Sequence, residues 1–256
     1  MDSYAFCVEP FTEDVNGLLA LTVLGNQFLR VADYSASKHQ FGFLNVKEKR
    51  HVWVLSRLVM EMSRRPKTYE KYHIGTWVNR VYRQFTDRLF QVNDSDGKPM
   101  GYAHSVWSLI DFETRMPVNL ESDETKAIHD AVSDENVPIA PSGRIRLSDD
   151  AKETNRIIAY SDLDINGHVN SICYMRMAID QVFTDYPALV HPKSHFIQRI
   201  EVQYIRESYF DDKTLRIKTE QRDKDTFLVE IIRNLPDGTG SESVVKAAVT
   251  LLPFEG

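Results

Sequence analysis

The sequence predicts an α+β protein built from two copies of one unit, each a long helix packed on a bent antiparallel sheet. Three observations carry that prediction. Two long stretches, His51–Met62 and Phe196–Arg206, alternate in period 2 and are rich in strand-forming residues. Each is followed by a further strand and a hairpin, with turns at Asn93-Asp94-Ser95-Asp96-Gly97 and Pro236-Asp237-Gly238. The run Asp14-Val15-Asn16-Gly17-Leu18-Leu19 returns 150 positions later as Asp164-Ile165-Asn166-Gly167-His168-Val169, both times at the entry to an amphipathic helix.

Taken in order, Tyr4–Val8 reads as a short strand and Leu18 to about Tyr34 as a helix, with Leu18, Leu21, Phe28 and Ala32 on one face. In His51–Met62, Val52, Val54, Leu58, Met60 and Met62 fall to one side and Ser56 breaks the pattern. Tyr72–Val81 is a second strand, and Arg88–Val92 with Met100–Phe112 forms the first hairpin. Residues 121–153 hold nine acids with Pro138, Pro141 and Gly143, the composition of a partly helical connection. This divides the chain into 1–120, a linker of 121–153, and 154–256. The pattern then restarts at Ile157, and Lys213–Glu220, Thr226–Arg233 and Val244–Leu252 supply the second set of strands.

Composition narrows the function. The 256 residues carry a net charge of -6, which argues against a general nucleic-acid binder. Two cysteines, Cys7 and Cys173, give neither a disulfide framework nor a zinc signature. No apolar run reaches the ~18 residues of a membrane helix, and MDSYAFCVEPF lacks the features of a signal peptide. A soluble, cytoplasmic protein is expected.

The chemistry concentrates in Tyr160–Arg176, YSDLDINGHVNSICYMR, where Asp162, Asp164, Asn166 and His168 crowd a helix entry. The spacing places His168 in the first helical turn, on a stripe with Ile172, Met175, Ile179 and Val182. The repeat shows what the first copy lacks. Leu18 stands where His168 stands, and aligning the long strands with Met60 opposite Tyr204 puts Ser63 opposite Glu207. One half then carries the chemistry, and the other is free to devote the equivalent space to apolar surface.

SDLDINGHVNSICY resembles the S-D-x-D-x-N-x-H-V-N-x-x-x-Y signature of the acyl-acyl-carrier-protein thioesterases of plants and bacteria. VQYIRES, Val202–Ser208, resembles that family's later strand, while Gly75-Thr76-Trp77-Val78 and Ser105-Val106-Trp107 resemble its N-terminal half. The similarity spans about Tyr4 to Pro253. It implies a tandem (double) hotdog fold, hydrolysis of the thioester between a fatty acyl chain and the phosphopantetheine arm of acyl carrier protein, and catalytic roles for Asp164, Asn166, His168 and Glu207. Ser208 departs from the cysteine often found there in plant members, which speaks against a cysteine nucleophile. With no plant-type transit segment at its start, the chain is expected to be a bacterial member.

The residues suit that reaction. There is no G-x-S-x-G elbow, and Cys173, five residues after His168, lies about 140° round a helix from it. Direct attack by water is expected, with His168 or Glu207 as general base, Asn166 positioning water or carbonyl, and helix N-terminal amides holding the oxyanion. Asp164 is expected to hold the loop. By strict alternation Glu207 falls opposite the face of Ile200, Val202 and Tyr204, so it reaches His168 only if the strand bulges. His191 and His195 are separated by Pro192, and neither a metal nor a cofactor is expected, the phosphopantetheine belonging to the substrate.

Acyl carrier protein is acidic, so an acidic enzyme would meet it with local positive patches. Lys47, Lys49 and Arg50 form one candidate, Arg64, Arg65 and Lys67 another. The resemblance places chain-length selection mainly in the first half, with Trp53, Met60 and Trp77 as candidate lining residues. A monomer or a homodimer fits a chain that contains both copies. The alternatives are an acyl-CoA thioesterase, a hotdog hydratase or dehydratase, and a non-catalytic acyl-binding or carrier-binding protein.

Overall fold

The computed structural model describes residues 1–189, 195–235 and 238–254. His191 and Pro192, and Pro236 and Asp237 of the second hairpin turn, lie outside the described residues. The chain forms two compact units, Met1–Pro141 and Ser142–Gly256.

The first unit contains strands β1 (Asp2–Cys7), β2 (His51–Met62), β3 (Lys71–Val81), β4 (Thr86–Asp94) and β5 (Pro99–Asp111), with helices α1 (Leu21–Lys38), α2 (Phe43–Glu48) and α3 (Lys126–Asp130). Its strands are ordered β1-β3-β4-β5-β2, each pair antiparallel. Ser56, the exception to the alternation of β2, is a bulge: the register against β5 shifts between Leu55 and Arg57. An extra residue there resets which face each side chain takes, so Leu58, Met60 and Met62 are buried after it. Helix α1 buries Leu21, Leu24, Phe28, Val31 and Ala32 and packs on β3.

The second unit contains β6 (Lys152–Ile157), α4 (Ser171–Asp185), β7 (His195–Tyr204), β8 (Thr214–Gln221), β9 (Thr226–Asn234) and β10 (Ser241–Pro253). Its order, β6-β8-β9-β10-β7, repeats that of the first. Helix α4 lies on β8, β9 and β10 and buries Ile172, Met175, Ala178 and Val182. Ile179, expected on the same stripe, is only half-buried. Each unit is thus a hotdog, one long helix held against a five-stranded antiparallel sheet.

The expected linker of 121–153 divides between the units. Leu120 and Ile128 join a buried cluster with Phe41, Val78 and Leu109, Val132 bridges Val78, and the Trp77 indole donates to Glu135 O at 2.9 Å. Beyond Pro141, Gly143 N–H donates to Glu201 Oε2 at 2.7 Å, and Ile145 packs against Leu228 and Ala248. Acidic and proline-rich composition marks irregular backbone, but the few apolar residues within it decide where that backbone docks.

Candidate active site

The loop of the second unit is built by its own short side chains. Asp164 Oδ1 accepts the backbone N–H groups of Asn166 at 2.8 Å and His168 at 3.1 Å, and Gly167 turns the chain at φ 77. Asp162 is fully buried. Its carboxylate accepts from Ala159 N–H at 2.9 Å and from Arg176 at 2.7 Å, with Arg156 at 3.6 Å, and its carbonyl accepts from Asn170 N–H at 2.8 Å. A buried carboxylate so surrounded is a rigid anchor for the loop.

His168 is not in the helix. It lies in an extended segment that bridges Tyr209, and Val169 N–H donates to Ser208 O at 2.9 Å. Helix α4 begins only at Ser171, capped by Asn170, whose Oδ1 accepts from Ile172 N–H at 2.8 Å. Periodicity finds the apolar stripe but cannot show that the residues before the cap pair with a distant strand end instead.

That strand end is where Glu207 crosses over. Beyond β7, the N–H groups of Ile205 and Arg206 both donate to Val244 O, at 2.9 and 3.2 Å, the signature of a bulge. Glu207 Oε1 then lies 3.5 Å from His168 Nδ1. The His168 side chain is 21% exposed and that of Glu207 30%, so both groups are open to small molecules. Tyr209 completes the cluster. Its ring meets the imidazole edge-on at 4.8 Å between centroids, and its hydroxyl donates to Glu207 Oε2 at 3.3 Å. Beneath the cluster, the buried Tyr174 hydroxyl faces buried Ser208, and burial pushes the Tyr174 phenol up to about 12.

The structure therefore brings together His168 and Glu207. It ties Asp164 to the loop backbone and leaves Asn166 on the exposed loop. Ser208 is wholly buried, and the Cys173 thiol, raised by desolvation, sits near Ser161 O and Arg176. Neither is placed as a nucleophile beside the imidazole. The sequence reading missed Tyr209, for which the only signal was a position two residues from Glu207. It noticed Asp162 but could not pair it with Arg176 and Arg156. Among the described residues no three His, Cys, Asp or Glu side chains gather as a metal-binding group.

The other expected residues scatter. Trp53 lines a cavity of the first unit. Met60 is fully buried within β2, and Trp77 lines a separate, smaller cavity with Asp2 and His39. Neither lines the cavity that holds Trp53. Arg65, expected on a surface patch, is buried with its guanidinium 2.7 Å from Asp14 and on Leu19 O at 2.8 Å. Arg50 pairs with Glu113, and Arg64 with Glu70 at 2.7 Å and Asp94 at 3.4 Å, while Lys47, Lys49 and Lys67 are exposed. The register of Glu207 also changes. In the first unit Ser63 and Arg64 N–H both donate to Met100 O and Leu19 N–H donates to Pro66 O. These bonds match those of Ile205, Arg206 and Ser208, so Arg65, not Ser63, occupies the place of Glu207.

The site thus sets a histidine beside a carboxylate at the helix entry of a hotdog unit. Comparison with known proteins assigns the family. Residues 3–128 match the acyl-ACP thioesterase N-terminal domain and residues 146–246 the acyl-ACP thioesterase C-terminal domain, so the chain belongs to the acyl-ACP thioesterase family. It is 38% identical to the acyl-ACP thioesterase from Bacteroides thetaiotaomicron VPI-5482, whose crystal structure it matches with a TM-score of 0.86 over 98% of this chain and 97% of that one. The 12:0-ACP thioesterase from Umbellularia californica shares the fold, with a TM-score of 0.84, 20% identity, and 99% and 97% of the two chains covered. The chloroplastic oleoyl-acyl carrier protein thioesterase of Coriandrum sativum is 23% identical over 89% of this chain, which spans 64% of that relative's length. Among the described residues no helix is long and apolar enough to cross a membrane.

Proposed function

We propose that the protein hydrolyses the thioester joining a fatty acyl group to acyl carrier protein, releasing free fatty acid and ending chain elongation. The observation that carries this is the contact between His168 Nδ1 and Glu207 Oε1 at 3.5 Å, within a chain of this family. Because Nδ1 faces the carboxylate, Nε2 is left to take a proton from water, and Glu207 orients the ring and stabilises the imidazolium. The water oxygen attacks the thioester carbon. Asn166 and N–H groups at the α4 entry receive the oxyanion, the C–S bond breaks, and the imidazolium returns its proton to the sulfur. No metal takes part in this scheme. Tyr209 holds Glu207 and the edge of the imidazole, and is a positioning residue.

In this scheme the acyl chain is selected in the first unit, where Trp53 lines a cavity, and the exposed Lys47, Lys49, Arg64 and Lys67 meet the acidic carrier.

The test follows free thiol and fatty acid from a mixed set of acyl-carrier-protein thioesters. The same acyl groups on CoA are run beside them at low and high salt. Wild type is expected to release fatty acid, and His168→Ala to lower kcat about 10²- to 10⁴-fold with the fold intact. Absence of release by wild type overturns the hydrolase. Undiminished release by His168→Ala removes the histidine from its centre and makes Glu207 the base.

A further inference from the structure

The cavity of the first unit has a volume of about 320 Å³ and walls that are mainly apolar, with Phe41, Trp53, Val78 and Trp107 among them. Two charged side chains also line it. Arg88, on β4, is 5% exposed, and Asp33, on α1, is half-buried. The Arg88 guanidinium donates to Thr76 Oγ1 at 3.2 Å, and among the described residues no carboxylate lies within ion-pair distance of it. Asp33 Oδ1 is already occupied by the Phe43 N–H at 2.7 Å.

A guanidinium carries five N–H donors and stays charged, and burying it without a matching acceptor is costly. Desolvation here is strong enough to pull the Arg88 pKa down to about 10, which still leaves the group a cation at neutral pH. An aliphatic chain ending in a methyl group would leave those donors unanswered. The other buried arginine of this unit, Arg65, differs in having a carboxylate beside it, Asp14 at 2.7 Å, although its Nε makes no hydrogen bond.

We infer that the first-unit cavity binds an aliphatic chain that carries an oxygen acceptor, a hydroxyl or a carboxylate, received by the Arg88 guanidinium. Two sources present that chemistry, an oxygenated acyl group on its carrier and a free fatty acid or alcohol. A hydroxyl can in addition donate toward Asp33. The binding itself stands without the hydrolase proposed above, and only the choice between sources draws on it.

The experiment titrates the full chain with octanol, octanoate and octane, followed by fluorescence of Trp53 and Trp107 in the cavity wall. At least one oxygen-bearing chain is expected to bind wild type about tenfold or more tightly than octane, the range of a charge-assisted hydrogen bond. Arg88→Met, which keeps the length and apolar stem of the side chain, is expected to abolish that preference. Equal binding of octane, or a preference that survives Arg88→Met, overturns the proposal, as does failure of every chain to bind. The comparison of chains on wild type is decisive even where the variant does not fold. Turnover of ω-hydroxyoctanoyl and octanoyl carrier protein then separates the sources. A higher kcat/KM for the hydroxylated chain that Arg88→Met removes assigns the oxygen to the substrate. Equal kcat/KM beside oxygen-selective binding assigns it to a free ligand.

Discussion

The two helix-entry loops share one backbone and differ in almost every side chain that could act. Asp14 Oδ1 accepts from Asn16 N–H at 2.9 Å and Leu18 N–H at 3.3 Å, as Asp164 does from Asn166 and His168. Leu18 bridges Lys67 as His168 bridges Tyr209. On this common frame the second unit places His168, Glu207, Tyr174 and Ser208 where the first has Leu18, Arg65, Leu24 and Pro66. The second unit caps its helix with Asn170, whereas Ala20 caps α1 with no side-chain bond. In the first loop the arginine turns inward onto Asp14 and the leucine is buried. In the second the carboxylate turns onto an imidazole that remains partly open. The Asp-x-Asn-Gly turn is therefore a structural device used twice, and the side chains around it, not the turn, set the two loops apart.

Exchanging the two positions that differ most in charge breaks the comparison most sharply. Arg65→Ala removes a buried guanidinium from Asp14, whose own side chain is 24% exposed, and from Leu19 O, and is expected to cost about 1 to 3 kcal/mol. Glu207→Gln, on a partly exposed carboxylate, is expected to lower kcat/KM by an order of magnitude or more with little change in melting. Chemical denaturation and kinetics on both variants check this. Loss of stability in Glu207→Gln with activity kept would make the two positions structural equivalents.

The Tyr174 position sharpens the contrast further. In the folded protein its phenol ionises near 12 against about 10 when unfolded, so the unfolded chain loses its proton first. The stability it contributes is full below pH 10 and is lost as pH rises toward 12, on the order of 2 kcal/mol. Tyr174→Phe is expected to flatten part of the alkaline decline in unfolding free energy measured between pH 9 and 11. Tyr72 of the first unit, also held near 12 by burial, retains its own share. An unchanged slope would show that the Tyr174 hydroxyl is not sequestered.

The smallest effect separates the two aspartates. Asp164→Ala removes the acceptor of two backbone N–H groups and is expected to cost about 1 kcal/mol, with a fall in kcat/KM as His168 loses its seat. Asp14→Ala loses the same two bonds and also strands Arg65, so it is expected to destabilise more while leaving turnover unchanged once folded. The reverse ranking in denaturant titrations would mean that the Arg65–Asp14 pair contributes nothing.

Much of this was legible in the chain because it depends on neighbours in sequence. Alternation in His51–Met62 marked β2 to the residue, and its one irregularity, Ser56, is where the sheet bulges. The Asp-x-Asn-Gly turn, the hairpins and the tandem order follow from local chemistry of the same kind. Boundaries fared worse: α1 starts at Leu21, not Leu18, because Leu18 pairs across to Lys67 before the helix begins. Helix α2 and strand β6 went unrecognised, being six residues each with a weak pattern.

Local pattern was thus enough to define two repeated units of helix and strands and to pick out His168, because period, turn chemistry and repetition are properties of the chain as written, while the hotdog itself came from the family resemblance. It could not say that His168 stands before its helix, that Glu207 meets it through a bulge, or that Arg65 and Arg88 are buried while Lys67 is not. Those outcomes depend on which strand end lies against which loop. That is settled when apolar surface is buried, and a polar side chain then keeps whatever partner the packing has left within reach.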